Sequence, residues 1–165
     1  MAQPEKTVKV LFVCLGNICR SPTAEGIFRD MVKRRGLTGR VLHDSCGTGD
    51  WHQGEPPDPR AITEAHRRGI DISDLRARQI RAADFAAFDY IVTMDHDNHH
   101  EVRRLCPPVH GGKVHHAVSF APQNGADHVP DPYYGGTKGF AQVYELLTAV
   151  CDGLLQRIQD EHGIS

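Results

Sequence analysis

The sequence predicts a single α/β domain of three layers, in which helices cover both faces of a mostly parallel sheet. Short apolar runs rich in β-branched residues alternate along the chain with segments whose apolar residues recur at helical spacing. Strands that alternate with helices are typical of parallel sheets, because each parallel connection needs a crossover. The length of 165 residues suits one core. We therefore expect one domain over residues 1–165, with residues 1–7 as a flexible polar tail.

The first apolar run, residues 8–13, predicts a strand that is buried on both faces and ends in a loop at residues 14–17. A helix is expected next, because Ser21 can cap the free amides and Pro22 fits a first turn. Gly36 marks the end of that helix. The chain thus opens with a strand, a loop and a helix.

The rest of the chain repeats this alternation. Three further segments are strand candidates: residues 40–43, 90–94 and 113–119. Three segments are helix candidates: residues 60–69, residues 97–105 and, over about six turns, residues 140–158. Long loops occupy residues 46–59 and 120–135, and long loops in compact domains are usually functional. Because the carboxyl ends of parallel strands share one edge of the sheet, Cys14 and Asp131 can be neighbours there.

Composition restricts the possible functions. The chain is 39% hydrophobic and 24% charged with a formal net charge of −2, which excludes global disorder and gives no general attraction for nucleic acid or anionic membranes. No apolar run approaches the roughly 18 to 20 residues that span a bilayer. Five cysteines, an odd number, favour a reducing compartment over a secreted disulfide framework. We expect a cytoplasmic protein without a nucleic-acid or membrane partner.

The loop after the first strand has the pattern of an oxyanion site. Cys14 is followed six positions later by Arg20, between a buried strand and a helix start. A loop in that place can direct backbone amides inward, and the helix dipole adds to their positive potential, so that a tetrahedral dianion is bound. Arg20 can bind two phosphate oxygens with its planar guanidinium, and the loop favours the nucleophilic thiolate form of Cys14. The residues expected to surround the phosphate are Leu15, Gly16, Asn17, Ile18, Cys19 and Ser21.

Other interpretations of these residues were weighed. Cys151 and Arg157 have the same spacing inside the last helix, where the amides are already hydrogen-bonded and cannot bind an anion. Cys14 and Cys19 fall within the spacing of zinc ligands, but no second ligand pair accompanies them. The paired histidines, His99–His100 and His115–His116, show no coherent ligand spacing. We therefore expect no metal and no cofactor.

Five stretches of the sequence resemble the low molecular weight protein tyrosine phosphatases, in the order that the family has them. They are residues 10–25 (VLFVCLGNICRSPTAE), 47–61 (GTGDWHQGEPPDPRA), 77–88 (ARQIRAADFAAF), 89–95 (DYIVTMD) and 131–135 (DPYYG). The resemblance implies a four-stranded parallel sheet with flanking helices and hydrolysis of phosphotyrosine through a cysteinyl-phosphate, without a metal. It also implies that Cys14 is the nucleophile, Arg20 the phosphate binder and Asp131 the proton donor.

Physical reasoning supports an acid in the second long loop. A tyrosine leaving group has a pKa near 10, so a carboxylic acid that protonates the departing oxygen accelerates the reaction. Asp127 and Asp95 satisfy the same bare requirement, but Asp131 is followed by Pro132, which stiffens the loop. Three aromatic side chains can form the walls of a slot for the phenyl ring: Trp51, Tyr133 and Tyr134.

Two features of the loop remain open. Asn17 and Ser45 match positions that brace the phosphate loop in relatives, whereas Arg68 stands where a histidine usually joins that network, which leaves His66 as a substitute. Cys19 either forms a reversible disulfide with Cys14 or is simply a small packed residue.

Two alternatives to phosphatase activity remain. An arsenate reductase needs a close resolving cysteine pair, whereas Cys46, Cys106 and Cys151 are far apart in sequence. A module that binds phosphotyrosine without turnover is disfavoured by the joint presence of nucleophile, arginine and acid. We expect phosphotyrosine-containing proteins as partners and a monomeric chain.

Overall fold

The computed structural model describes residues 6–165, and its centre is a four-stranded sheet in which every pair of neighbours is parallel. The strands are β1 (Val8–Cys14), β2 (Val41–Gly47), β3 (Tyr90–Thr93) and β4 (Val114–His116), in the spatial order β2-β1-β3-β4. The prediction of a four-stranded parallel sheet flanked by helices is confirmed. The predicted tail falls mostly on residues 1–5, which lie outside the described residues.

Helices cover both faces of this sheet. They are α1 (Arg20–Arg34), α2 (Pro59–Arg67), α3 (Asp84–Ala87), α4 (His96–Leu105) and α5 (Thr137–His162), with 3₁₀ turns at Pro108–Lys113, Ala117–Phe120 and Pro122–Asn124. Alternate residues of β1 point to opposite faces, as the pleat of a strand requires. Val10 and Phe12 pack with α1 and α5, while Leu11 and Val13 pack with α3 and α4. Within the described residues, none of the helices combines the length and apolar character that crossing a bilayer requires.

The structure corrects three of the predicted boundaries. The second strand continues to Gly47 and the fourth ends at His116, where Ser119 Oγ donates a 2.6 Å hydrogen bond to the His116 carbonyl and starts a 3₁₀ turn. This strand lies at the edge of the sheet and pairs with β3 over three residues, so little holds it extended beyond them. The last helix begins at Thr137, three residues before Phe140, the expected start.

The expected capping role of Ser21 is wrong. Helix α1 begins at Arg20 with Cys19 as its N-cap, and no side chain caps it. The Ser21 hydroxyl is instead used in contacts with the loop before the helix. Helix α2, by contrast, has a capped start, because the Asp58 carboxylate accepts a hydrogen bond from Arg60 N and Pro59 occupies the first turn.

Candidate active site

The loop between β1 and α1 is shaped by hydrogen bonds from the segment that follows β2. Three of its carbonyls accept these bonds: Cys14 O from Thr48 N at 2.9 Å, Leu15 O from Gly49 N at 3.0 Å and Ile18 O from Asp58 N at 2.8 Å. In a trans peptide the carbonyl and the next amide point in opposite directions. Outward carbonyls at these positions therefore turn the amides of Leu15, Gly16 and Cys19 toward the inside of the loop, as an oxyanion site requires.

Gly47, the last residue of β2, is needed for this close approach. A Cβ atom at this position would lie 2.6 Å from Leu15 O and 3.2 Å from Asn17 N. Any side chain would therefore displace the phosphate loop. Glycine thus permits the end of β2 to support the loop from below.

Asn17 and Ser21 brace the loop from the inside. Asn17 has a left-handed backbone with φ 58°, and its side chain donates to Ser21 Oγ at 2.7 Å and accepts from Arg78 N at 3.0 Å. Ser21 Oγ lies 3.0 Å from Cys14 Sγ. Because the hydroxyl oxygen accepts from Asn17, its single proton can be donated either to a Cys14 thiolate at 3.0 Å or to Cys46 O at 3.3 Å.

The suggested bracing through His66 is wrong. His66 lies on the exposed surface of α2, and Arg68, the residue directly after this helix, covers the Tyr144 ring at 4.9 Å. The Ser45 hydroxyl donates to Glu25 of α1 at 2.8 Å. The partner of the Asn17 side chain outside the loop is the backbone amide of Arg78, which a sequence motif of side chains does not reveal.

Arg20 is buried at the base of the site, with 2% of its surface exposed. Its Nη1 donates to Asp95 Oδ2 at 2.6 Å and to Val129 O at 2.9 Å, and its Nη2 lies 3.7 Å from Asp131 Oδ2. Burial acts to lower the pKa of Arg20, but the Cys14 charge and the Asp95 contact raise it above the usual value. The guanidinium is therefore fixed in direction and fully charged.

Asp95 has a structural role that the sequence analysis missed. It is the N-cap of α4, where Asn98 N donates to its Oδ1 at 2.8 Å and Asn98 Oδ1 accepts from Asp95 N at 2.9 Å. Burial acts to raise the pKa of Asp95, but the hydrogen bonds from Asn98 and Arg20 lower it below its usual value. An Asp-x-x-Asn pattern directly after a buried strand was the available signal. Asp127 lies elsewhere, on the exposed surface beside His96.

The loop opens into a cavity of about 390 Å³ that brings the predicted catalytic residues together. Its lining consists of Cys14, Leu15, Gly16, Ile18, Cys19, Arg20, Trp51, His52, Asp131, Tyr133 and Tyr134. Asn17 and Ser21 are buried beneath it rather than lining it. The sequence analysis missed His52, whose position next to Trp51 in the same loop was the available signal.

Aromatic rings form the rim of this cavity. The Tyr133 and Tyr134 rings meet edge to face at 5.0 Å, and His52 lies 6.5 Å from the Tyr133 ring. Trp51 and Tyr134 are 68% and 92% exposed, so both can cover a ligand that enters from solvent. Asp131 lies on the same rim, where its Oδ1 accepts a hydrogen bond from Tyr133 N at 3.0 Å.

The five cysteines are free thiols, including Cys14 and Cys19. Burial, aided by the negative charge of Asp58, raises the pKa of the Cys19 thiol. Residues 6–165 contain no group of three or more His, Cys, Asp or Glu side chains placed to hold a metal ion. The adjacent histidines are instead used in packing, as in the stack of His99 on His116 at 3.6 Å.

The site combines a preformed oxyanion loop at the end of the first parallel strand with a cysteine below the loop and a carboxylic acid across the opening. This combination defines the class of cysteine-dependent phosphatases. A family model described as "Low molecular weight phosphotyrosine protein phosphatase" matches residues 9–163. The chain belongs to this family.

Individual relatives agree with this assignment. The low molecular weight phosphotyrosine protein phosphatase of Schizosaccharomyces pombe is 44% identical over 154 residues, covering 93% of this chain and 98% of that protein. The YfkJ phosphatase of Bacillus subtilis is 40% identical over 154 residues, covering 93% of this chain and 97% of that protein. Among solved structures, a protein tyrosine phosphatase from Entamoeba histolytica with Hepes in its active site superposes with a TM-score of 0.91 at 38% identity, covering 94% of this chain and 99% of that one.

Proposed function

We propose that this protein hydrolyses phosphotyrosine in proteins through a cysteinyl-phosphate intermediate. One observation carries the proposal: Cys14 Sγ lies at the floor of a cavity into which the loop amides and the Arg20 guanidinium are directed. A phosphate that binds there is surrounded by donors that match its equatorial oxygens. Family membership makes the protein a hydrolase of phosphoric monoesters.

In the first step, the Cys14 thiolate attacks phosphorus in line with the leaving group. The S–P bond forms while the bond between phosphorus and the tyrosine oxygen breaks, and Asp131 transfers its proton to that oxygen. Ser21 Oγ lies 3.0 Å from Cys14 Sγ, and a hydrogen bond that it donates there stabilises the thiolate. Arg20 and the loop amides stabilise the charge of the transferring group without rearrangement, since they are already fixed.

In the second step, the Asp131 carboxylate accepts a proton from a water molecule that attacks the phosphocysteine. The S–P bond breaks, inorganic phosphate leaves and the Cys14 thiolate is restored. The position of Asp131 on the rim, across the cavity from Cys14, suits both the acid and the base role.

The walls of the cavity support selection of aryl phosphates. Trp51, Tyr133 and Tyr134 offer flat apolar surface above the loop, on which a phenyl ring can stack. A phosphoserine side chain is shorter and has no ring, so it would gain little from these walls. We therefore assign phosphotyrosine-containing proteins as the substrates.

We also place the protein in the cytoplasm, acting as a monomer. Five free thiols support a reducing compartment. The burial of Cys46 and Cys151 counts against the arsenate reductase alternative, because neither can reach the cavity to resolve an oxidised Cys14.

The direct test is turnover of p-nitrophenyl phosphate and a phosphotyrosine peptide, followed by acid quenching and mass spectrometry of the Cys14 peptide. We expect release of phosphate and one trapped phosphoryl group on Cys14. Asp131→Ala should lower kcat/KM by about 10² to 10³ for the tyrosine ester, the usual contribution of a positioned acid. A wild-type protein that binds phosphate but hydrolyses neither substrate contradicts the proposal and supports the docking module.

A further inference from the structure

Arg60, in the first turn of α2, uses most of its hydrogen-bonding capacity between two loops of the site. Its Nε donates to Asp58 Oδ1 at 3.0 Å and its Nη2 to Asp58 Oδ2 at 2.9 Å, a bidentate pair. The hydrogen bonds from Arg60 lower the pKa of Asp58 below its usual value. The guanidinium is thus held in one orientation by the charged residue that caps its own helix.

The same guanidinium reaches the loop that carries Asp131. Its Nη2 donates to Tyr133 O at 3.0 Å and its Nη1 to Gly135 O at 3.2 Å. It also lies over the Tyr133 ring at 5.5 Å and over the Phe140 ring of α5 at 4.7 Å. Arg60 therefore contacts both the backbone and the wall of the acid loop.

Before Asp131 the loop is anchored at buried Val129, whose amide donates to Met94 O at 2.8 Å and whose carbonyl accepts from Arg20. Between residues 131 and 136 of the described chain, the other hydrogen bonds are local, such as Tyr133 N to Asp131 Oδ1 and Gly135 N to Pro132 O. The contact between Arg20 and Asp131 spans 3.7 Å and is an ion pair without hydrogen-bond geometry. The segment after Asp131 is thus connected to the rest of the site through the bonds from Arg60 to the Tyr133 and Gly135 carbonyls.

Asp58 extends this chain of contacts to the phosphate loop. Its backbone amide donates to Ile18 O, one of the bonds that turn the loop amides inward. A continuous path of hydrogen bonds therefore runs from Ile18 through Asp58 and Arg60 to Tyr133 and Gly135. The acid and the phosphate site are joined by one arginine.

We propose that Arg60 is a positioning residue for the general acid, which holds Asp131 at the depth where it reaches the oxygen of the leaving group. This inference rests on the proposed phosphatase function and deepens it. Misplacement of a reacting group by about 1 Å can reduce a rate by as much as 10²-fold, so the two carbonyl contacts are sufficient to matter.

The experiment compares two aryl phosphates whose leaving groups differ. Phenyl phosphate releases a poor leaving group that needs protonation, whereas the nitro group of p-nitrophenyl phosphate makes protonation less important. Arg60→Ala should lower kcat/KM for phenyl phosphate by about tenfold and for p-nitrophenyl phosphate by about twofold, a smaller version of the Asp131→Ala pattern. Loss of ring packing alone would reduce both values equally.

A double variant tests whether Arg60 acts through Asp131. In the Asp131→Ala background, Arg60→Ala should cause no further loss with phenyl phosphate, because the group that it positions is gone. Arg67→Ala is the control on the same helix, since the exposed Arg67 pairs with the buried Glu64, which retains Arg68 as a second partner at 3.7 Å. We expect this control to keep both kcat/KM values within about twofold of wild type.

Each outcome has one meaning. Inactivity of the wild-type protein toward both esters contradicts the proposed function itself. Equal losses for the two esters in Arg60→Ala, or a further loss in the double variant, contradict the positioning role and leave the function intact. Thermal unfolding is followed in parallel, and Arg60→Gln, which retains one amide donor, replaces the alanine variant if the latter does not fold.

Discussion

Two cysteine–arginine pairs of identical spacing lie in opposite environments in this protein. Cys14 and Arg20 flank a loop whose amides turn inward, and both line the cavity. Cys151 and Arg157 lie within α5, where Cys151 is fully buried and its Sγ donates to Ala24 O at 3.4 Å. Arg157 covers the Phe120 ring and pairs with Glu161.

The difference between them is the conformation of the intervening backbone. In α5 the amides between cysteine and arginine are used by the helix, so no donor remains for an anion. In the first loop they are directed to a common point by bonds from the segment after β2. Residue spacing alone therefore does not make an oxyanion site.

The largest expected effect comes from substituting each of the two cysteines in turn. Cys14→Ser should reduce kcat for p-nitrophenyl phosphate by about 10⁴-fold or more, since the nucleophile is removed. Cys151→Ala should leave kcat within about twofold and cost about 1 kcal/mol of unfolding free energy through a small cavity. Rate assays and denaturant unfolding measure these effects. Appreciable turnover by Cys14→Ser would refute the comparison.

The two arginines should differ by a smaller factor. Arg20→Lys replaces a planar guanidinium that is fixed by Asp95 with a point charge, and we expect kcat/KM to fall by about 10²- to 10³-fold. Arg157→Lys serves as the control and should keep wild-type kcat/KM. A similar loss of kcat/KM in both variants would contradict a specific role of Arg20 in the loop.

Asn17 tests the shape of the loop itself. Asn17→Gly and Asn17→Ala both remove the side-chain bonds to Ser21 and Arg78, and each should lower kcat by roughly tenfold, because Ser21 loses its orientation. Alanine at φ 58° adds strain, so Asn17→Ala should be about 1 kcal/mol less stable than Asn17→Gly. Equal stability of the two variants would contradict the strained loop.

The smallest expected effect is on the pH dependence of stability and concerns α4. The N-cap of this helix, Asp95, is the partner of Arg20, and Arg157 has no such partner. Burial, with the nearby His116 and Arg103, lowers the pKa of His99 to about 4, whereas an unfolded histidine has a pKa of about 6.5. Between these values the unfolded chain binds more protons than the folded one, so stability falls as the pH decreases through this window. We expect Tm to drop by a few °C from pH 7 to pH 5.

The control for this effect is the neighbouring exposed histidine. In His99→Asn, an amide can replace the Nδ1 contact with Thr93, and the decrease of Tm with pH should become shallower. His100→Asn should retain the wild-type dependence, because His100 is exposed. Identical pH profiles in both variants would exclude His99 as the source.

The sequence predicted the parts of the fold that local patterns encode. Apolar runs indicated the strands, and the position of Cys14 between strand and helix indicated the oxyanion loop. The short edge strand β4 was predicted too long, since sequence does not reveal how few residues of β3 remain to pair with it. Ser21 was misjudged because its hydroxyl serves the loop rather than the helix end.

The contacts that orient the site were beyond the sequence. Asp95 contacts Arg20, which is 75 residues away in sequence, and Arg60 contacts Tyr133, which is 73 residues away. Many other acidic and basic residues in the sequence were equally plausible for these contacts. The backbone donor of Arg78 carries no side-chain signature at all. Local chemistry indicated the candidate reactive groups, and only the folded arrangement identifies what holds them.

The contact between Gly47 and the Leu15 carbonyl has a thermodynamic consequence. Because β2 supports the loop rigidly, its amides are aligned before any oxyanion arrives, and ligand capture requires no ordering of the chain. The entropy change on binding of vanadate or tungstate should therefore come from the release of water and not from ordering of the backbone. The absence of a side chain at this one glycine thus keeps the loss of conformational entropy on ligand binding small.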